Sequence, residues 1–154
     1  MKTRTILASL AVFLAGVGLC FAADPNMGTW KLNDAKSKFS PGATKNNTVV
    51  YAPAGDMVKV TVDGVDKDGK AVQNVWTGKF DGKDYPVTGE QAYDSRSYTK
   101  VDDHTMNMTL KKAGTVVGTG KIAVSADGKS RTVTTMGSDP KMMAMNNTAV
   151  YDKQ

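Results

Sequence analysis

The sequence predicts an all-β fold: a single antiparallel up-and-down β-barrel of eight to ten strands, with little or no helix once an N-terminal leader is set aside. Three observations carry that prediction. From Thr48 onward, short runs rich in Val, Thr and Tyr alternate with turn residues at close spacing. The turns are explicit, because Asp68-Gly69-Lys70, Asp81-Gly82-Lys83 and Asp127-Gly128-Lys129 repeat one tripeptide, and Asp-Gly supplies the positive φ that tight hairpins need. No long helical period appears after the leader. Consecutive hairpins make neighbouring strands antiparallel, and closing the sheet on itself removes its exposed edges.

Residues 1–22 have the three parts of a secretory signal peptide in order. Lys2 and Arg4 form a basic start, Ile6 to Leu19 is uncharged and mostly apolar, and Cys20-Phe21-Ala22 places small residues at −3 and −1 for cleavage after Ala22. The run is short for a transmembrane helix, which takes about 20 apolar residues. The expectation is a periplasmic or secreted domain spanning residues 23–154, with no stable membrane insertion after the leader is removed. Cys20 offers the alternative of a lipidated anchor, although Leu19 is larger than the small residue that such a signal places before its cysteine. If Cys20, the one cysteine, leaves with the leader, disulfides and thiol chemistry are excluded. Loss of Lys2 and Arg4 takes the formal net charge from +5 to +3. The remaining Lys and Asp residues are interspersed, with no basic stripe, so no nucleic-acid partner is expected.

Strands are expected near residues 28–33, 48–53, 57–65, 70–80, 84–88, 92–101, 104–112, 115–125, 129–137 and 145–152. Between the first two, Asp34-Ala35-Lys36-Ser37 suits one helical turn before Pro41-Gly42 forces a loop. Ala113-Gly114-Thr115 and Asp102-Asp103-His104 suit further turns. Alternation assigns the faces. Val58, Val60 and Val62 oppose Lys59, Thr61 and Asp63; Val72, Trp76 and Phe80 oppose Gln73, Thr77 and Lys79; Met106, Met108 and Leu110 oppose Thr105, Asn107 and Thr109. If Tyr93 and Val101 point inward, so do Ser95, Ser97 and Thr99; if Ile122 does, so do Gly118 and Gly120. Small and hydroxylated residues inside a barrel leave room for a ligand. The competing possibility is a solid core.

Gly28-Thr29-Trp30 resembles the Gly-x-Trp signature that opens the first strand of lipocalins and fatty-acid-binding proteins, the calycin group. Met145 to Lys153 is similar to the closing strand of the fatty-acid-binding proteins. The chain also resembles small exported bacterial lipocalin-like proteins of unassigned function. The resemblance implies a lipocalin-like barrel over residues 23–154 and a non-catalytic role in binding a small apolar or amphipathic ligand. It implies barrel closure by Gly28 and Trp30 under a basic side chain, Arg131 or Arg96. Trp76, Tyr93, Ser95, Ser97, Thr99 and Tyr151 are the candidate cavity-lining residues. The sequence departs from the fatty-acid-binding pattern at two points: Ala149 stands where an arginine two before Tyr151 would complete a carboxylate clamp, and Asp34 to Asn47 is too short for that family's two helices.

Two alternatives come from other classes. His104, Met106 and Met108 share a strand face and suit a soft metal such as Cu(I), although methionine is also an ordinary core filler. A structural envelope-associated barrel without a ligand is the other. A calcium loop around Asp63, Asp66, Asp68 and Gly69 fails on spacing, since Gly64 and Val75 would occupy two ligand positions. No cofactor is expected. No nucleophile motif, paired histidine or phosphate loop points to catalysis, so the chain is expected not to be an enzyme.

Overall fold

A computed structural model describes residues 24–154. The leader, its cleavage position and Cys20 lie outside the described residues. Ten strands follow in chain order: β1 (Gly28–Leu32), β2 (Lys45–Ala54), β3 (Met57–Val65), β4 (Ala71–Gly78), β5 (Tyr85–Thr88), β6 (Ser95–Lys100), β7 (Thr105–Lys112), β8 (Thr115–Val124), β9 (Ser130–Gly137) and β10 (Asn147–Lys153). Every neighbour is antiparallel, and β1 pairs with both β2 and β10, so the sheet closes into an up-and-down barrel. Among the described residues helix is confined to two 3-10 segments, Asp34–Lys36 and Pro140–Met145. No described helix is long and apolar enough to cross a membrane.

The turn chemistry works largely as the residue types require. At the β8–β9 hairpin, Gly128 takes φ +70° and the Asp127 carboxylate accepts from Lys129 N at 3.0 Å. Ala113 and Gly114 take φ +48° and +79°, the paired left-handed backbone of a two-residue hairpin. Asp81-Gly82-Lys83 behaves differently from its sister tripeptides. β4 stops at Gly78, Asp81 bridges to Thr99, and Gly82 N donates to Tyr98 O, so this stretch crosses to β6 instead of closing a hairpin.

The two ends of the barrel are filled differently. At one end Trp30 and Trp76 are fully buried, and Trp76 meets Tyr98 edge-on at 4.8 Å and stacks on Phe80 at 6.3 Å. Residues 24–27 close that end. Trp30 Nε1 donates to Asn26 O at 2.8 Å, and Asp24 holds Asn26 N and Nδ2 and a 2.7 Å ion pair with Lys100. Burial of large aromatics gives this end much of its stabilisation, at about 25 cal/mol per Å² of apolar surface. The other end is open and leads into a cavity.

Candidate functional site

The cavity has a volume of about 340 Å³. Its walls come from β2, β3, β6–β10 and the loops at the open end. Val49, Val60, Val62, Leu110, Ile122 and Val133 supply aliphatic surface. Tyr51, Tyr93, Tyr98 and Tyr151 supply aromatic surface with hydroxyls. Two arginines complete the interior. Residues 23–154 hold only two arginines, Arg96 and Arg131, and both are buried, 4% and 2% exposed.

Alternation explains how Arg96 reaches the inside. It pairs directly with Leu110 across β6–β7, and directly paired residues share a face. Arg96 Nη2 donates to Tyr93 Oη at 2.6 Å and to Asn74 Oδ1 at 3.2 Å, and Nη1 donates to Tyr98 Oη at 3.1 Å. Its Nε has no partner. Arg131 is directly paired with Tyr151 across β9–β10. Its guanidinium lies 4.8 Å from the Trp30 ring, 4.8 Å from Tyr51 and 5.0 Å from Tyr151. Aromatic faces attract the cation but accept little from its N–H groups, and both Nε and Nη1 of Arg131 are buried without a hydrogen-bond partner.

The tyrosines do not supply a counter-charge. Burial pushes the Tyr151 hydroxyl up to about 12, with Arg131 opposing the shift. Burial likewise raises Tyr51 and Tyr93 above the ordinary phenol value. All three are neutral at pH 7 and serve as dipoles. The one carboxylate among the lining residues is Glu90, in the β5–β6 loop, which accepts from Gln91 N and Ala92 N at 2.8 and 3.0 Å. Lys141 adds a cation to the lining. The lining is therefore cationic, and an uncompensated buried donor costs about 1–3 kcal/mol, more when it is charged.

The structure brings some of the expected site residues together and separates others. Tyr93 and Tyr151 line the cavity. Ser95, Ser97 and Thr99 do not, because the alternation slips between Tyr93 and Arg96: Asp94 sits in a bend, with its N–H donating to Lys111 O and its carbonyl accepting from Val87 N. Arg96 and Tyr98 therefore turn inward, Ser97 pairs with outward Thr109, and Val101 is 59% exposed instead of inward. Trp76 fills the closed end and does not line the cavity. Gly118 and Gly120 face inward but leave no free room. The Met108 methyl occupies the space a Cβ at Gly120 would need, at 2.7 Å, and Met145 Sδ approaches Gly118.

At the residues expected to close the barrel, Gly28 takes φ +108°, Trp30 is fully buried, and the Arg131 guanidinium lies over the Trp30 ring. Of His104, Met106 and Met108, only Met108 lines the cavity; Met106 is fully buried, and His104 caps the Asp102 turn through its backbone N–H. Among the described residues no cluster of three or more His, Cys, Asp or Glu is placed to hold a metal ion. The sequence offers Arg96 only as an alternative to Arg131 for barrel closure and does not place Tyr51, Tyr98 or Lys141 in the cavity. The available signal was arginine scarcity: lysine serves the surface of this chain, so each remaining arginine sits where a planar, always-charged group is wanted.

No protein-family model and no curated protein sequence matches the chain. Among solved structures, a redesigned beta barrel, mFAP1, bound to DFHBI, is similar, at 16% sequence identity and a TM-score of 0.48, covering 86% of this chain and 98% of that one.

Proposed function

We propose that this is an exported, non-catalytic, calycin-like binding protein for a small amphipathic anion. The observation that carries the reading is the pair of buried arginines with unpartnered N–H groups in an aliphatic and tyrosine-lined cavity. An anionic head group, carboxylate, sulfonate or phosphate, would accept from Arg131 Nε and Nη1, and its apolar tail would cover the valine, leucine and isoleucine walls. The cross-strand neighbours Arg131 and Tyr151 place a guanidinium beside a tyrosine without needing an arginine at position 149. At about 340 Å³ the cavity is near the small end of ligand sites, roughly 300–1,000 Å³, which favours a short tail. The export half of the reading rests on the composition of residues 1–22.

The test compares decanoate with decanol, which share a tail and differ in the charged head. Isothermal titration of the leaderless protein should show decanoate binding at least about tenfold more tightly, since a hydrogen bond to a charged group contributes roughly 1.5–3 kcal/mol. Equal affinities would remove the anion from the reading, and binding of neither would remove the ligand.

A further inference from the structure

Residues 138–146, between β9 and β10, turn back over the open end of the barrel, so that Lys141, Met142, Ala144 and Met145 line the cavity. No residue of Pro140–Met145 is itself buried. Two glycines let this segment lie so close. Gly118 of β8 and Gly137 of β9 are direct cross-strand partners. Neither has a positive φ, so neither is required by its backbone conformation. A Cβ at Gly137 would stand 2.1 Å from the Met142 carbonyl oxygen, and a Cβ at Gly118 would stand 3.0 Å from Met145 Sδ. The paired glycines form a notch in the rim, and the segment fills it.

The fastenings lie mainly at the ends of the segment. Ser138 N donates to Val117 O of β8 at 2.9 Å, Gly137 N donates to Asn146 Oδ1 at 2.8 Å, and Ser40 Oγ donates to Asn146 O at 2.6 Å. Asn147 Nδ2 holds Ala144 O at 2.9 Å, and Thr135 holds Met145 O. Between these ties, the Met142 N–H and the Met143 carbonyl bond only within the segment. The Met142 and Met145 side chains pack against the core through apolar contact, and the Thr135 bond to Met145 O is the polar tie beside them. Thioether side chains adapt to a changing surface with little directional cost. A strap tied at both ends and held in the middle by methionines in a glycine notch can lift without breaking a strand.

We propose that residues 138–146 are the door of the cavity, that Gly118 and Gly137 are its seat, and that lifting Met142 and Met145 out of the notch limits the rate at which a ligand enters and leaves. The proposal rests on the ligand-binding reading above. Closure also brings Lys141 to the cavity as a third cation beside the two arginines.

Stopped-flow fluorescence with 1-anilinonaphthalene-8-sulfonate, an anionic aromatic probe, tests it on the leaderless protein. With wild type, the observed binding rate should level off as probe concentration rises, because door opening becomes limiting. Gly137→Ala puts a methyl against the Met142 carbonyl. It should abolish the plateau and raise the dissociation rate about fivefold or more, with hydrogen exchange over 138–146 accelerated. Met142→Ala leaves the strands untouched and should act in the same direction, which keeps the test valid if Gly137→Ala disturbs β9. A strictly linear wild-type rate, or a plateau unchanged in both variants, would overturn the door and leave the binding reading standing. No probe binding by wild type would overturn the binding reading, and the door with it.

Discussion

Arg131 is buried beneath three aromatic rings with two N–H groups unpartnered, an arrangement that costs stability in the empty protein. Arg131→Met keeps the stem and removes the charge. It should raise the thermal midpoint of the apoprotein while abolishing any preference for decanoate over decanol, the opposed signs that mark a residue kept for function. Calorimetry with and without decanoate measures both; a lowered midpoint with the preference intact would assign Arg131 to structure alone. Tyr93→Phe should cost roughly 1–3 kcal/mol in chemical denaturation, because it takes the 2.6 Å acceptor from buried Arg96. Asp24 supplies the pH dependence. Burial pushes its carboxyl up, but donors from Lys100 and Asn26 together outweigh burial and leave it below the ordinary value. Since the folded value lies below the unfolded one, about 3.9, its contribution is present above that pH and is lost as pH falls through the folded value. Asp24→Asn should therefore lower the denaturation midpoint at pH 7 and narrow its difference from wild type at pH 3; an equal difference at both would exclude the ion pair as the cause.

At the scale of elements, the sequence was most legible where alternation ran unbroken. Val60 and Val62 on β3 and Met106, Met108 and Leu110 on β7 lie inward as their spacing requires. The reading failed where backbone geometry interrupted the period. The Asp94 bend reverses the faces of β6, so the serines leave the cavity and Arg96 and Tyr98 enter it. Period-2 patterning carries no warning of such a bend, because the residues beyond it continue to alternate. The missing Cβ atoms of Gly118 and Gly120 suggest empty space, whereas side chains from β7 and the 138–146 segment occupy it. A one-dimensional pattern records that a Cβ is missing but not what fills its place. At the β7–β8 turn, Ala113 bears a φ of +48°, which an L residue with a Cβ adopts at a cost. Ala113→Asn, which tolerates that region, should stabilise the fold by a few tenths to about 1 kcal/mol in urea unfolding. A destabilised variant would show that the Ala113 side chain matters more than its backbone.

The molecule as a whole is a barrel with one sealed end and one gated end. Tryptophans, an aromatic cluster and residues 24–27 fill the sealed end; two arginines, four tyrosines and aliphatic walls shape the cavity above it. The closed antiparallel order was legible because it depends on local turn chemistry and period-2 patterning, whereas the exact strand count and the choice between Arg131 and Arg96 beside Trp30 stayed open in the sequence. The cationic interior was not, because it depends on which face of β6 wins. The most direct measurement of the central claim is nuclear magnetic resonance of the arginine Nε–H groups during titration with decanoate. The expected result is that the Arg131 Nε resonance shifts and saturates with the bound fraction, while backbone resonances of residues 24–27 at the sealed end stay in place. Decanoate binding that leaves the Arg131 and Arg96 Nε resonances unmoved would place the head group elsewhere and contradict the account.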